Sequence, residues 1–190
     1  MEGLGKRVVL LVGLPGSGKD EVAKALKEEL GYEILGMSDV LKEVLESRGI
    51  EVNRENMRKL GIELREKMGP AAVAKLVIKK MEGGKGYVIN GIRNVEEILE
   101  FKKRFGEQVI VLGVLAPKKI RLLRLIKRGR KGFDVYSAEK LEEEDYREIV
   151  MFHLGDAIAM ADDFLVNAGS MEELKWKAIS MVLGICPQGV

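Results

Sequence analysis

A short glycine-rich segment has the residue types and spacing that bind phosphate groups, and it reads Gly13-Leu-Pro-Gly-Ser-Gly-Lys19. In this G-x-x-x-x-G-K pattern the glycines let the backbone curl, so that successive amides point at phosphate oxygens. The start of the next helix adds about half a positive charge at the same place. The Lys19 ammonium group would then reach the β- and γ-phosphates of a nucleoside triphosphate.

The residue after this lysine departs from the general motif, which has Ser or Thr there to ligate Mg²⁺. Here it is Asp20, and the chain contains no Thr at all. A carboxylate beside a triphosphate is repulsive unless a cation bridges them, Lys19 pairs with it, or the side chain turns away. An acidic residue is also favourable in the first turn of any helix. Two interpretations stay open: an exposed helix-start carboxylate, or a Mg²⁺ ligand acting directly or through water.

Composition limits the remaining chemistry. The chain has 190 residues, one Cys (Cys186) and one His (His153), which excludes a disulfide scaffold, a zinc finger and a CxxC redox centre. Lys and Arg total 32 and Asp and Glu total 30, a net charge of +2. This balance argues against a nucleic-acid partner. Catalysis would depend on Lys, Arg, Asp, Glu, backbone amides and a bound cation.

Short apolar runs alternate with amphipathic helical patterns along the chain. This alternation predicts an α/β fold with a parallel five-stranded sheet covered by helices on both faces. The expected strands are Arg7–Val12, Tyr32–Leu35, Tyr87–Ile89, Gln108–Leu115 and Phe164–Val166. We also expect one long helix over Leu141–Ala161, with His153 packed among its apolar neighbours.

The whole chain, 1–190, is expected to form a single domain. Its core would comprise residues 6–35, 85–120 and 140–185. Residues 36–82 show helical spacing and no convincing strand, which predicts a helical insert. Residues 121–139 form a small arginine-rich lid region. No run approaches about 18 uncharged apolar residues and the N-terminal apolar run is too short for a signal peptide, so a cytoplasmic protein without a membrane segment is predicted.

Several segments resemble nucleoside monophosphate kinases. Gly-x-Pro-Gly-Ser-Gly-Lys is similar to the phosphate loop of adenylate kinases, in which a Gly commonly follows the Lys. Gly36-Met-Ser-Asp-Val-Leu-Lys42 resembles the segment that opens their monophosphate-binding helices. Ile89-Asn-Gly-Ile-Arg93 resembles their Asp-Gly-x-Pro-Arg strand end, one residue shorter and with Asn90 in place of Asp.

Over most of residues 6–180 the chain more closely resembles the archaeal UPF0200 family of predicted nucleotide kinases. The shared segments include the phosphate loop, Leu64-Arg-Glu66 with Gly69-Pro70, an arginine-rich helix followed by an acidic one, and Val166-Asn-Ala-Gly-Ser170. This resemblance implies a P-loop NTPase fold with ATP and Mg²⁺ as cofactors. It is specific for fold and nucleotide binding, and it does not identify the substrate.

The sequence and the resemblance together assign candidate roles to individual residues. Candidate catalytic residues are Lys19, Arg93, Arg124 and Arg128, the last two as lid arginines that neutralise charge on the transferred phosphoryl group. Candidate ATP-binding residues are Gly13, Pro15, Gly16, Ser17, Gly18, Lys19, Asp20, Glu21, Arg130, Asn167 and Gly169. Candidate acceptor-binding residues are Ser38, Asp39, Lys42, Arg65, Gly91 and Arg93.

Asn90 is the second departure at the expected metal site. An Asp at this strand end would hold a Mg²⁺-bound water, whereas Asn keeps an oxygen donor and loses the charge. We therefore expect Asn90 to act through water, and we hypothesise that the Asp20 carboxylate compensates for the missing Asp from the opposite side.

The function that fits best is transfer of the γ-phosphoryl group of ATP to a small phosphorylated acceptor, a nucleoside monophosphate. A hydroxyl kinase resembling dephospho-coenzyme A kinase is an alternative, with Asp39 as base. A nucleotide-binding regulator with lost catalysis is another, because of Asp20 and Asn90. The sequence leaves monomer and homodimer open.

Overall fold

The sheet of the protein has five strands within the described residues, and all of them run parallel. The computed structural model describes residues 6–128 and 137–185. The strands are β1 (Val8–Val12), β2 (Glu33–Gly36), β3 (Tyr87–Asn90), β4 (Val109–Leu115) and β5 (Asp163–Val166). Their order in the sheet is β2-β3-β1-β4-β5. The predicted parallel five-stranded sheet is confirmed, and β3 lies beside β1.

Strand β1 lies at the centre because its side chains are apolar on both faces. Val8, Leu10 and Val12 pack into one core, under the helices between β2 and β3. Val9 and Leu11 point to the other face and pack with helices at the two ends of the chain. All five residues are buried, as expected for a parallel strand that is covered on both sides.

Helices cover both faces of this sheet. In chain order they are α1 (Lys19–Leu30), α2 (Met37–Ser47), α3 (Arg54–Met68), α4 (Ala72–Ile78), α5 (Val95–Phe105), α6 (Lys118–Arg128), α7 (Ala138–Val150), α8 (Leu154–Ala159) and α9 (Met171–Val182). Helix α9 begins at Ser170, whose side chain accepts a hydrogen bond from the Glu173 amide at 3.1 Å. This is the capping interaction that their spacing predicts.

Helices α2, α3 and α4 follow one another between β2 and β3. Leu41, Leu45, Leu60, Leu64 and Val77 turn inward and join the same core as the strand residue Val8. The three helices therefore stand over one side of the sheet and share its hydrophobic core.

The prediction of one long helix over Leu141–Ala161 is wrong. Helix α7 ends at Val150, and α8 begins at Leu154. Between them His153 adopts a left-handed conformation with φ of 55°, and its side chain is 73% exposed instead of packed. The break contains no Gly or Pro, so it carries no sequence signal of a helix end. It buries Phe152 against the site described below.

No helix in the described parts of the chain is both long and apolar enough to cross a membrane.

Candidate active site

The glycine-rich loop between β1 and α1 approaches its neighbours so closely that a side chain at its glycines would have to displace them. Gly18 has φ of +106°, and a Cβ there would lie 2.2 Å from the amide nitrogen of Asn167. Gly16 has φ of +78°, and its Cβ would meet the backbone oxygen of Arg121 at 3.0 Å. Gly13, with φ of +151°, would clash with the Val114 carbonyl. The loop therefore packs directly on α6 and on the end of β5.

Lys19 folds back into this loop. Its ammonium group donates to the carbonyls of Gly13 at 2.6 Å and Leu14 at 3.1 Å. The pKa of Lys19 is lowered from 10.5 to about 8, and burial is the main cause. The negative charges of Asp20 and Glu148 raise this pKa, and the positive charge of Arg93 lowers it. The ammonium group thus lies within range of charges from α1, α7 and the segment after β3.

A cavity of about 310 Å³ opens beside the loop. Seven of its lining residues were predicted as ATP-binding or catalytic: Gly16, Gly18, Lys19, Asp20, Glu21, Arg124 and Asn167. Three others, Leu125, Lys127 and Met171, were not predicted. Leu125 and Lys127 lie on α6 with the predicted Arg124, and Met171 is the first residue of α9, two positions after the predicted Gly169. Their closeness in sequence to predicted residues is the signal that could have found them.

Asn167 and Arg124 hold the far side of the loop. The buried Asn167 side chain donates to the Ser17 carbonyl at 2.8 Å. Its amide oxygen accepts a hydrogen bond from Arg124 at 2.8 Å, and its backbone oxygen accepts a second one at 3.2 Å. The Ser17 hydroxyl is buried and has no hydrogen-bond partner among the described residues. Asn167 therefore joins the segment after β5, helix α6 and the phosphate loop.

Arg121 is held by a buried carboxylate. Its guanidinium group forms two hydrogen bonds with the Asp145 carboxylate of α7, at 2.5 and 2.8 Å, and both side chains are buried. It also donates to the Pro15 carbonyl at 3.1 Å. Arg121 thus fixes the phosphate loop to α6 and α7.

Arg93 and Arg65 converge on one aromatic ring. The guanidinium carbon of Arg93 lies 4.7 Å from the centre of the Phe152 ring, and that of Arg65 lies 5.7 Å from it. Arg93 also faces the Glu148 carboxylate at 3.4 Å, and Arg65 pairs with the fully buried Glu97 at 2.7 Å. The two predicted acceptor-binding arginines therefore belong to one cluster.

Sequence reasoning missed the acidic members of this cluster. Glu97 accepts hydrogen bonds from Arg65 and from the Arg93 backbone amide. Asn94 caps the start of α5 by accepting from the Glu97 amide at 2.8 Å, and this Asn-x-x-Glu pattern could have located Glu97. Glu148 carried no comparable signal, because it is one of several carboxylates along the acidic helix α7.

The other candidate acceptor residues lie at the start of α2. Asp39 and Lys42 pair with each other at 2.6 Å, and Ser38 is exposed. Gly91 has φ of +98°, and a Cβ there would lie 3.3 Å from the Met37 side chain. The structure thus brings Gly91 against the start of α2, while Asp39 and Lys42 contact each other rather than the arginine cluster.

Three further candidates, Gly169, Arg128 and Arg130, lie outside these groups of residues. Gly169 packs against the Glu173 side chain, which a Cβ would approach to 2.4 Å. Arg128 ends α6, but its side chain lies outside the described part of the structure. Arg130 and most of the loop of the predicted lid, residues 129–136, also lie outside the described residues.

The two departures from the expected metal site are in direct contact. The Asn90 side-chain amide donates to an Asp20 carboxylate oxygen at 2.7 Å. Carboxylate and amide oxygens are donors that Mg²⁺ prefers, and Mg²⁺ in phosphate sites uses one or two carboxylates together with waters and phosphate oxygens. The described residues contain no cluster of three or more His, Cys, Asp or Glu side chains that would enclose a metal by themselves. The residues present fit a nucleotide-associated Mg²⁺.

Fold and loop together define a P-loop kinase-like protein. Solved structures of this class superpose on nearly the whole chain. A gluconokinase from Sinorhizobium meliloti has a TM-score of 0.62 at 14% identity, covering 95% of this chain and 94% of that one. A shikimate kinase from Acinetobacter baumannii, solved in complex with shikimate, has a TM-score of 0.58 at 21% identity, covering 96% of both chains. At these identities the likeness shows the fold.

Sequence comparison gives the family. A family profile described as an AAA domain matches residues 12–142. A UPF0200 protein from Aeropyrum pernix is 44% identical over 171 residues, which is 90% of this chain and 89% of the relative. The chain belongs to the UPF0200 family, as the sequence motifs predict.

Proposed function

We propose that this protein is an ATP-dependent phosphotransferase that transfers the γ-phosphoryl group to a small phosphorylated acceptor, a nucleoside monophosphate. The observation that carries the proposal is the position of the Lys19 ammonium group. It lies inside the phosphate loop beside a cavity of about 310 Å³. It is also close enough to Arg93 for that guanidinium to lower its pKa.

The nucleotide side of the site would use the loop and α6. The loop amides and the α1 N-terminus would bind the phosphates, and the Ser17 hydroxyl would be a further donor. Lys19 would exchange its two carbonyl contacts for phosphate oxygens, since a charged acceptor gives the stronger hydrogen bond. Arg124 lines the same cavity and would stabilise the charge that develops on the transferred group.

The acceptor side would use the arginine cluster. Arg93 and Arg65 present two guanidinium groups to one region, and each already faces a carboxylate. A phosphate monoester carries the same charge sign as Glu148 and offers Arg93 a bidentate partner in its place. An uncharged acceptor would have no comparable means of displacing that carboxylate.

The reaction would need positioning more than acid–base chemistry. An oxygen of the acceptor phosphate attacks the γ-phosphorus, the bond to the bridging oxygen of ADP breaks, and that oxygen carries the charge away. The acceptor oxygen is already anionic, so no general base is required. When bound, Mg²⁺ would neutralise charge on the phosphates, with Asp20 and Asn90 as the residues that would hold it.

One observation favours a second candidate, a hydroxyl kinase. The Glu148 carboxylate is near enough to Lys19 to raise its pKa, and it has 17% exposure. A carboxylate at that place could accept the proton of an attacking hydroxyl. Asp39, the base considered from sequence, is paired with Lys42 on an exposed surface instead.

An acceptor screen tests the proposal. The protein is incubated with γ-labelled ATP, Mg²⁺ and either a set of nucleoside monophosphates or dephospho-coenzyme A, and labelled products are separated. We expect label in a nucleoside diphosphate and a loss of about 100-fold or more in the Arg93→Ala variant. Exposed Lys103 provides a matched control, and Lys103→Ala should transfer at the wild-type rate.

The alternatives give other outcomes. Label only in coenzyme A would contradict a phosphate acceptor and support the hydroxyl kinase, with Glu148→Gln then abolishing transfer. Tight ATP binding without transfer to any acceptor in the set would contradict the proposed activity and favour a regulator.

A further inference from the structure

The Asp20 side chain is held by β3 and does not serve as the cap of its own helix. Helix α1 begins after Gly18, and no side-chain hydrogen bond caps it. The Asp20 carboxylate instead accepts the Asn90 amide at 2.7 Å, from the last residue of β3. The interpretation of Asp20 as a simple helix-start residue therefore leaves this contact unexplained.

The sheet explains why these two residues meet. Strands β1 and β3 are adjacent and parallel, with Leu11 opposite Asn90 in the register. The chain continues from β1 through the phosphate loop to α1, so the first turn of α1 returns over the end of β3. Asp20 is exposed at this edge, and it lines the cavity beside the loop.

The charge of the pair equals that of the usual arrangement. In the usual arrangement, a Ser or Thr follows the lysine and an Asp ends the neighbouring strand. These two side chains together carry one negative charge. Asp20 with Asn90 also gives one negative charge, since the amide is neutral. The carboxylate has moved from β3 to α1, and the neutral oxygen donor has moved from α1 to β3.

Lys19 directs two hydrogen bonds into the phosphate loop. Its ammonium group donates to the Gly13 and Leu14 carbonyls. A carboxylate that lines the cavity beside the phosphate loop would carry the same charge sign as phosphates bound there, and at 4 Å even fully solvated like charges repel by about 1 kcal/mol. A divalent cation reverses the sign of that interaction.

We propose that Asp20 and Asn90 form an exchanged cation subsite, in which Asp20 is the carboxylate that binds the divalent cation of the nucleotide and Asn90 orients it. The proposal rests on the proposed function, since the cation enters with the nucleotide phosphates. It adds a specific pair of residues and a distinct dependence of nucleotide affinity on the cation.

Calorimetric titration with a non-hydrolysable ATP analogue tests the subsite, once with Mg²⁺ and once with EDTA. For the unchanged protein we expect Mg²⁺ to tighten binding. In Asp20→Asn, which keeps hydrogen-bonding groups and loses the charge, we expect this tightening to fall by roughly tenfold or more. Binding in EDTA should stay equal or become tighter, because a like charge has been removed.

A neighbouring carboxylate gives the matched control. Glu21→Gln removes the same charge from the same cavity lining, and it should raise affinity in EDTA without removing the Mg²⁺ effect. An equal Mg²⁺ effect in the unchanged protein and in Asp20→Asn would overturn the subsite. So would an equal loss in Glu21→Gln.

Exchanging the two positions tests the pair. Asp20→Ser should lose the Mg²⁺ effect, and Asp20→Ser/Asn90→Asp should regain it, since the carboxylate returns to β3. Failure of the double variant to regain it, with a melting temperature near that of the unchanged protein, would contradict the exchange. Absence of analogue binding in both Mg²⁺ and EDTA would instead overturn the proposed function itself.

Discussion

Lys19 carries an ammonium group whose pKa of about 8 lies within the range of ordinary assay buffers. Burial is the main cause, because the loop encloses the charge and offers it carbonyl oxygens. Bound phosphate would favour the charged form of the same group. If the loop binds a nucleotide as proposed, the protonation state of Lys19 in the free protein would enter directly into the affinity.

The first prediction concerns the pH dependence of ATP binding. Above about pH 8 the free protein holds Lys19 neutral, so binding takes up a proton and the Kd should rise by up to about tenfold per pH unit. Below that pH the ammonium group is already charged, and its contribution should be constant. Calorimetry across this range measures the effect. Lys19→Arg should bind without this dependence, since guanidinium stays charged, and an unchanged slope there would assign the dependence to another group.

The second prediction uses Glu148, whose charge raises the pKa of Lys19. In Glu148→Gln the pKa of Lys19 should be lower, and the midpoint of the pH dependence should move to lower pH. Arg93 acts with the opposite sign, so Arg93→Gln should move the midpoint upward. Equal midpoints in the two variants would mean that neither side chain acts on Lys19 through its charge.

The third prediction separates close packing from backbone conformation at glycine. Gly18 and Gly31 both have positive φ, but a Cβ at Gly31 meets nothing within 4 Å. Gly31→Ala should cost about 1 kcal/mol of stability through strain alone. Gly18→Ala must also displace Asn167, so it should weaken ATP binding at least tenfold where Gly31→Ala does not. Similar ATP affinities in the two variants would contradict the contact between the loop and Asn167.

At the scale of elements, α7 joins three parts of the molecule. Glu144 pairs with Arg54 of α3 at 2.6 Å. Asp145 pairs with Arg121 of α6, and Glu148 faces Arg93 after β3. An acidic helix whose charges face separate arginines fixes the relative positions of the elements that carry them.

The fourth prediction concerns the buried member of this set. Arg121→Met leaves the Asp145 carboxylate buried without its partner and should reduce the free energy of unfolding by about 3–5 kcal/mol. The exposed pair Lys118–Glu142 joins the same two helices, and Lys118→Met should cost about 1 kcal/mol or less. Chemical denaturation measures both. Arg121→Met/Asp145→Leu should recover much of the lost free energy of unfolding. A loss in Arg121→Met as small as that in Lys118→Met would contradict a stabilising role of the buried Arg121–Asp145 ion pair.

Across the whole molecule, the features that sequence patterns predicted are those that depend on residues close together in the chain. The apolar run of β1, the phosphate loop and the Ser170 cap are each encoded within a few residues, and all are present. The break before α8 could not be predicted, because His153 is a non-glycine residue in a left-handed conformation.

Contacts between distant segments were also beyond sequence reasoning. Arg65 and Glu97 are 32 positions apart, and Arg121 and Asp145 are 24 apart. The residue types indicated charged groups, but only the positions of these helices in the folded chain bring Arg65 to Glu97 and Arg121 to Asp145. The Asp20 and Asn90 departures were visible in sequence, whereas their hydrogen bond was not.

The proposed function depends on the loop around Lys19 binding the phosphates of ATP. Calorimetric titration of ATP into Lys19→Ala tests it most directly, with Lys27→Ala as control, since Lys27 is exposed at the other end of α1. We expect Lys27→Ala to bind ATP like the unchanged protein and Lys19→Ala to bind it about 100-fold or more weakly. Equal ATP affinity in Lys19→Ala and the unchanged protein would contradict it.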